Sequence, residues 1–417
     1  MTVQPATCNL KLETPNPKLK TPPFASSFFF TNLSQNLHVK KTGLLFVFAI
    51  FFIRLYSQSD SSHLRISLIT CSPGAELYST FGHSAIRVVD SAVFTDKVYN
   101  YGTFLFDDDF YMNFVKGRLL YYLSVEEYRE FVAFYRQEQR SISEQVLNLT
   151  GAEKLKLQKA LITNATDQNR FYKYQFLFDN CATRIRDIVK SNTDEQVTFK
   201  KIIPADEITF REMIHSYLHK TGNDWSGVGI DILLGMSLDK KVKNEEAMFL
   251  PDYLAKGFDS AYNGSRRLLL STNTIYTAPQ SLNEKGSALT PFVVFTIIVV
   301  IYLLIAFWSR RAGTILDFIL FFVTGLLGVL LVFMWTATDH ADCKNNFNLL
   351  WALPTHLIAS FFILSKKKWV KKYWRYTAIL HTAILLLWFF LPQQLNNALI
   401  PIVALLAWRI WILSRQN

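Results

Sequence analysis

Cysteine is scarce. Cys8, Cys71, Cys181 and Cys343 are spread over 417 positions, and no two form a CxxC pair. That spacing excludes a disulfide scaffold and speaks against a structural zinc site. Balanced charge is missing too: 44 Lys and Arg stand against 33 Asp and Glu, a net charge of +11. Nucleic-acid binding needs such an excess on one soluble face. Here many of the basic residues flank apolar runs, so the excess reads as membrane topology and no nucleic-acid partner is expected. The even polarity of a soluble protein is also absent. Half of the residues are hydrophobic, and the surplus is concentrated in residues 290–414. Residues 60–286 read as a mixed globular domain, long enough for a core of its own.

What is present divides the chain into four parts. Residues 1–42 form a polar extension, expected to be disordered. Lys40 and Lys41 then precede the apolar run Leu44–Ile53. That run is short for a membrane span and suits a signal peptide, with Ser57 and Ser59 as small residues before a cleavage site. Arg54 interrupts the run, so residues 43–59 read as a signal peptide or a signal anchor. Either one exports the domain that follows.

That domain, 60–286, is expected to be α+β. Strands are predicted at 64–70, 84–89 and 98–104, with a Ser-Pro-Gly turn at 72–74. Helices are predicted at 125–139, 151–167 and 180–191. Residues 205–262 read as mostly helical, with an apolar turn over 227–235. An all-α transmembrane domain of about five helices follows at 290–414, near 291–308, 315–335, 349–365, 376–391 and 398–413. If the first span enters from outside, the inner loops hold Arg310, Arg311, Lys366, Lys367, Lys368, Lys371, Lys372, Arg375 and Arg415, and the outer loops hold only Lys344. The positive-inside rule then places the globular domain and loop 336–348 together on the outer face.

Two short segments carry chemistry: Phe81-Gly82-His83-Ser84 and Phe178-Asp179-Asn180-Cys181. Cys181 opens a predicted helix that Asp179 or Asn180 can cap, and the positive end of the helix dipole favours thiolate there. His83 is the candidate base. If strands 84–89 and 98–104 pair as a hairpin, Asn100 is placed to hold the second imidazole nitrogen and fix its tautomer. The plain alternative for each is structural, since a lone cysteine or histidine is more often a packed core residue. Together they supply the minimum kit for nucleophilic thiol catalysis.

The order His, polar residue, Cys resembles the circularly permuted NlpC/P60 and lecithin:retinol-acyltransferase-like group. More closely, Thr70-Cys71-Ser72-Pro73-Gly74-Ala75-Glu76-Leu77-Tyr78, Phe81–Val88, Tyr99–Phe104 and Asp179–Arg184 resemble the Bacteroides-type lipoprotein N-acyltransferases (Lnb-like). The resemblance spans residues 64–414. It implies a permuted papain-like exported domain ahead of a multi-span membrane domain, with His83 and Cys181 as the catalytic pair. It also implies an inner-membrane enzyme whose catalytic domain faces the periplasm. Such an enzyme moves an acyl chain from a phospholipid, through a Cys thioester, to the N-terminal amine of a diacylglyceryl-cysteine lipoprotein. No cofactor is implied. A membrane-anchored NlpC/P60-like cysteine peptidase or amidase acting on cell-wall peptide uses the same dyad equally well. A non-enzymatic binding domain on a membrane base is the third reading.

Weaker candidates surround this core. Glu76 is placed to line the site, or is a bland loop carboxylate. Arg184 and Arg186 can meet a lipid phosphate, or lie on a solvated helix face. Cys71 is a second thiol, expected to be buried and inert. His215 and His219 have the spacing of a helical metal pair, but no third ligand is evident, so no metal is expected. The outer loop 336–348, with Asp339, His340, Asp342, Asn345, Asn346 and Asn348, is a candidate for positioning a headgroup or substrate amine; His340 and Asn346 are singled out for that role. His356 and His381 fall within spans, where ionisable groups indicate interior packing or function.

Overall fold

In the computed structural model, residues 63–105, 107–204, 206–279 and 289–416 are described. The polar extension (1–42), the signal peptide or anchor (43–59) and Cys8 lie outside the described residues.

The exported part is built on a seven-stranded antiparallel sheet. Its strands are β1 (Leu64–Cys71), β2 (His83–Asp90), β3 (Thr95–Phe104), β4 (Leu120–Glu127), β5 (Ile142–Leu147), β6 (Phe171–Lys173) and β10 (Leu269–Tyr276), in the spatial order β10-β5-β1-β2-β3-β4-β6. A small second sheet joins β7 (Val197–Thr198), β8 (Tyr262–Asn263) and β9 (Arg266–Arg267). Both faces of the large sheet are covered. Ile69, Cys71, Ala85 and Val98 pack against Phe131, Val132 and Tyr135 of helix α2 (Tyr128–Gln137). On the other face, Ile66, Leu68, Ile86 and Val88 share a core with helices α3 (Gly151–Asn164), α4 (Cys181–Ser191) and α7 (Pro251–Ser260). The period-2 alternation of apolar residues along β1 and β2 feeds both layers. A short helix, α1 (Phe110–Lys116), lies between β3 and β4.

Several expectations need correction. Residues 125–127 belong to β4, and helix α2 starts only at Tyr128. The stretch 227–235 is not a turn. Gly227 and Gly229 sit inside helix α6 (Asp224–Leu233), which follows α5 (Phe210–Lys220). A Cβ on Gly227 would lie 3.0 Å from His215 Cε1, so this glycine serves the close approach of two helices.

The C-terminal part is helical, with its own buried cluster. Among the described residues, three helices are long and apolar enough to cross a membrane: Pro291–Trp308 (α8), Arg310–Thr336 (α9) and the segment Asn397–Arg415, most of which is α12 (Ile400–Gln416). The expected span at 349–365 is broken into a 3-10 turn at Phe347–Leu350, a short helix α10 (Thr355–Ala359) and a further 3-10 turn at Ser360–Phe362. Pro354, which has no N–H to donate, stands at the break. The expected span at 376–391 is the second half of α11 (Lys368–Leu386), whose first turns carry Lys368, Lys371, Lys372 and Arg375. Within the bundle, Arg409 donates two hydrogen bonds to Asp317, at 2.7 and 2.6 Å, and Tyr302 donates to the same carboxylate.

The two parts are bonded together through the outer loops. Arg211 is buried and donates to Asp231 at 2.5 Å and to Asp239 at 2.8 and 2.9 Å. Asp231 also accepts from Asn396, in the last outer turn, at 2.7 Å.

Candidate active site

Helix α4 begins at Cys181 because Asn180 caps it. Its Oδ1 accepts the N–H groups of Ala182 and Thr183, both at 2.9 Å, and Thr183 Oγ1 accepts the N–H of Asn180 at 2.8 Å. Asn180 Nδ2 in turn donates to the carbonyls of Phe176 and Phe249, at 2.8 and 2.7 Å, which locks the cap in the fold. The sulfur therefore sits at the positive end of an eleven-residue helix.

His83 is delivered by the turn before β2. Gly82 has φ +80°, and a Cβ there would lie 2.9 Å from the Cys71 carbonyl oxygen, so only glycine fits. The β2–β3 ladder runs from Asp90–Thr95 to Ile86–Tyr99 and stops short of His83. Cys181 occupies the opened end. A Cβ on Gly102, which has φ +92° and lies in an irregular stretch of β3, would stand 3.7 Å from Cys181 Cβ and 3.9 Å from His83 Cε1.

His83 Nε2 and Asn100 Oδ1 are 2.6 Å apart, and His83 is hydrogen-bonded to Cys181. With Nε2 engaged by Asn100, Nδ1 is the nitrogen left for the sulfur. The orientation of Asn100 is fixed from behind. Its Nδ2 donates to Glu126 Oε1 at 2.9 Å, and Ser124 Oγ donates to the same oxygen at 2.7 Å. A carboxylate only accepts, so the amide N–H must face Glu126 and Oδ1 must face His83. The proton then resides on Nε2, and Nδ1 is free to exchange a proton with the thiol. Thr103 Oγ1, 2.9 Å from Ser124 Oγ, extends the chain.

Burial is the largest single influence on Cys181, and it pushes the thiol up. The charge and hydrogen bond of His83, together with the N–H groups of Ser84 and Ala182, outweigh it, and the thiol ends below its ordinary value. Burial likewise pulls His83 down, but the adjacent sulfur and Asn100 leave the imidazole above its ordinary value. Both shifts favour the thiolate–imidazolium form of the pair over the neutral one. Tyr135 stacks on His83 with ring centroids 6.1 Å apart, and the Arg140 guanidinium lies 4.7 Å from the Tyr135 centroid.

A cavity of about 370 Å³ lies between the sheet domain and the outer loop; Cys181, His83 and Asn100 do not line it. Its walls include Phe114, Tyr121, Tyr174 and Leu177, and its polar rim includes Lys173, Asp339, His340 and Asp342. Tyr174 stacks on Tyr121 at 4.3 Å and lies within electrostatic range of Cys181.

Two family models match the chain: the Lnb N-terminal periplasmic domain over residues 51–216, and the Lnb transmembrane domain over residues 283–416. The chain belongs to the Lnb family. These are the domains of a membrane-bound, lipoprotein-modifying enzyme whose N-terminal domain faces the periplasm. No curated protein and no solved structure matches the chain. In this Lnb-family chain, the periplasmic match contains His83, Asn100 and Cys181, and the transmembrane match contains the outer loop.

The remaining candidates are placed as follows. Glu76 is exposed, ahead of the 3-10 turn Leu77–Ser79. Arg184 is committed to Asp179, with hydrogen bonds of 2.6 and 2.8 Å, and lies 3.5 Å over the Tyr172 ring. Arg186 pairs with Asp187 and donates to the Glu245 carbonyl at 2.9 Å. His340 lines the cavity, and its Nε2 donates to the Phe114 carbonyl at 2.9 Å. Asn346 is buried. It donates to the carbonyls of Ile232 and Leu233, at 2.7 and 3.1 Å, and accepts from the Asn348 N–H, so its amide holds the two parts together. Cys71 is fully buried, pairs in register with His83, and is pushed well up by burial. His215 bonds Asp231 at 2.9 Å and His219 bonds Asp224 at 2.5 Å, each to its own carboxylate. Among the described residues, no group of three or more metal-binding side chains occurs. His356 and His381 meet at 3.4 Å inside the bundle.

Glu126, Ser124 and Thr103 escaped the sequence reading. No local motif marks them. The usable signal was the alternation along 120–127, which puts Ser124 and Glu126 on one face of a strand.

Proposed function

We propose that the protein transfers an acyl chain from a membrane phospholipid, through a thioester on Cys181, to the N-terminal amine of a diacylglyceryl-cysteine lipoprotein. The observation that supports this most is the Cys181–His83–Asn100 array, carried by the periplasmic match of an Lnb-family chain. In this reading residues 60–286 are a permuted papain-like (NlpC/P60-like) thiol domain, and residues 290–414 are its multi-pass base in the inner membrane. A soluble peptidase needs no such base. The long N-terminal extension precedes the export segment at 43–59.

The chemistry follows from the ion pair. The Cys181 thiolate attacks the ester carbonyl, and the Cys181 backbone N–H, with a second donor, receives the developing oxyanion. As the tetrahedral adduct collapses, His83 gives its Nδ1 proton to the departing glycerol oxygen. Lysophospholipid leaves, a thioester remains, and His83 is neutral. The incoming amine attacks the thioester carbonyl and gives its proton to His83 Nδ1. The C–S bond breaks, the amide forms, and the thiolate–imidazolium pair is restored. Apolar walls that keep water out protect the thioester from hydrolysis.

The test is mass spectrometry of lipoprotein N-termini in cells lacking the gene, complemented with wild type or Cys181→Ala. The N-linked acyl chain should return only with wild type. Purified protein and labelled phospholipid should also give a hydroxylamine-sensitive acyl-enzyme. Cleavage of cell-wall fragments with no acyl-enzyme would assign the site to a peptidase.

A further inference from the structure

Helix α1 is unusual in burying none of its seven residues. Tyr111, Met112, Phe114 and Val115 are 75, 56, 54 and 42 % exposed, and Leu105 just before it is 55 % exposed. An apolar patch this dense marks an interaction surface. Its position says with what. Asp339 donates its backbone N–H to the Lys116 carbonyl at 2.9 Å, and His340 donates to the Phe114 carbonyl at 2.9 Å. Gly117 passes so near this loop that a Cβ on it would lie 2.9 Å from His340 N. The loop is the direct continuation of α9, an apolar helix of membrane-spanning length that ends at Thr336. The exposed face is therefore held three residues from the outer end of a span. Lys116 ends the helix, Arg118 beyond it pairs with Asp339 at 3.4 Å, and Asp107, Asp108 and Asp109 precede it, so the apolar face and its place at the span, and not charge, carry the case.

We propose that α1 docks into the outer surface of the bilayer, burying Tyr111, Met112 and Val115 among lipid headgroups and upper acyl chains. Exposed aromatic and apolar side chains beside the end of a span suit the membrane interface. Phe114 belongs both to this face and to the wall of the cavity. The docked helix thus forms a lip over which a lipid chain passes from leaflet to cavity. The docking stands independently of the chemistry at Cys181; the use as a lip rests on the acyl-transfer reading.

The full-length protein, carrying Cys8→Ser, Cys181→Ser and Met112→Cys with an environment-sensitive fluorophore, is reconstituted in phosphatidylethanolamine/phosphatidylglycerol nanodiscs. The same label on exposed Lys159 of α3 gives the background. Emission at 112 should shift to the blue and lose more than half its intensity when nitroxide-labelled lipid is included, while 159 stays bright. Water-like, unquenched emission at 112 would overturn the docking. For the lip, Met112→Asp/Val115→Asp should slow acyl-enzyme formation at least tenfold with bilayer phospholipid, yet leave it unchanged with a short-chain, monomeric phospholipid. Equal rates with bilayer lipid would overturn the lip. Failure of wild type with both donors would sink the acyl-transfer reading and leave the docking result standing.

Discussion

His83 Nε2 donates to Asn100 Oδ1 across 2.6 Å, and this bond decides which imidazole nitrogen faces the sulfur. The ring is held between a neutral amide on one side and a thiol on the other. Its tautomer is set two residues away, by a carboxylate that never touches it.

Cys181 should ionise below the ordinary thiol value. The rate of iodoacetamide alkylation, followed against pH by intact mass, should reach half its plateau below pH 9.0, the unperturbed value. In His83→Ala the attraction of the imidazolium is gone, leaving burial opposed only by the N–H groups of Ser84 and Ala182, so the midpoint should move upward. Cys71, buried and with its pKa raised, should remain unmodified in the folded protein.

Asn100→Leu should slow acyl-enzyme formation by about 10²-fold, the usual scale for losing an oriented acid–base group. Glu126→Ala should cost roughly tenfold, because Asn100 can then rotate and present its N–H₂ to His83. Glu126→Gln keeps an acceptor oxygen and should recover most of the loss. A merely structural role for Glu126 would show instead as equal losses in all Glu126 variants, with no change in the pH–rate profile.

Glu153 links acid sensitivity to the fold. It is buried, and burial by itself would raise its pKa. The N–H groups of Thr150 and Asp194, with Asn263 and Arg266, outweigh that and pull it from 4.5 to about 2. A carboxylate depressed in the folded state stabilises above its unfolded pKa and loses that contribution as pH falls through its folded one. Glu153→Gln should therefore lower stability at pH 7 by roughly 3 kcal/mol. The gap to wild type should close between pH 4.5 and about 2 in thermal melts.

Asp231→Ala should lower stability by about 3–5 kcal/mol, because it leaves the buried Arg211 guanidinium without one of its carboxylates. The same change removes the acceptor for Asn396. Limited proteolysis should then cut at 234–240, where the two parts are joined, before it cuts the sheet.

Much of the sheet's centre was legible because its strands alternate cleanly. Leu64–Cys71 and His83–Asp90 point apolar residues to two covered faces, and the hairpin with Thr95–Phe104 follows. The outer strands were not legible. In Ile142–Leu147 the buried Glu144, paired with Arg87 at 3.0 Å, breaks the apolar pattern. In Leu269–Tyr276, on the sheet edge, five consecutive residues from Leu270 to Thr274 are exposed. Gly227 and Gly229 read as a turn, since spacing along the chain does not distinguish a glycine that bends it from one that admits a neighbouring helix.

By itself the sequence determined a mixed α+β domain ahead of an apolar, basic-flanked helical base. It also placed a cysteine behind an asparagine cap, because capping and hydropathy are local properties of a few consecutive residues. Only the tertiary structure decided that Glu126 orients Asn100, that Arg184 and Asn346 are occupied by protein partners, and that the outer loop closes a cavity with the sheet domain. Those facts depend on register and on contacts between residues as much as 226 positions apart, such as His340 and Phe114, which no local pattern encodes.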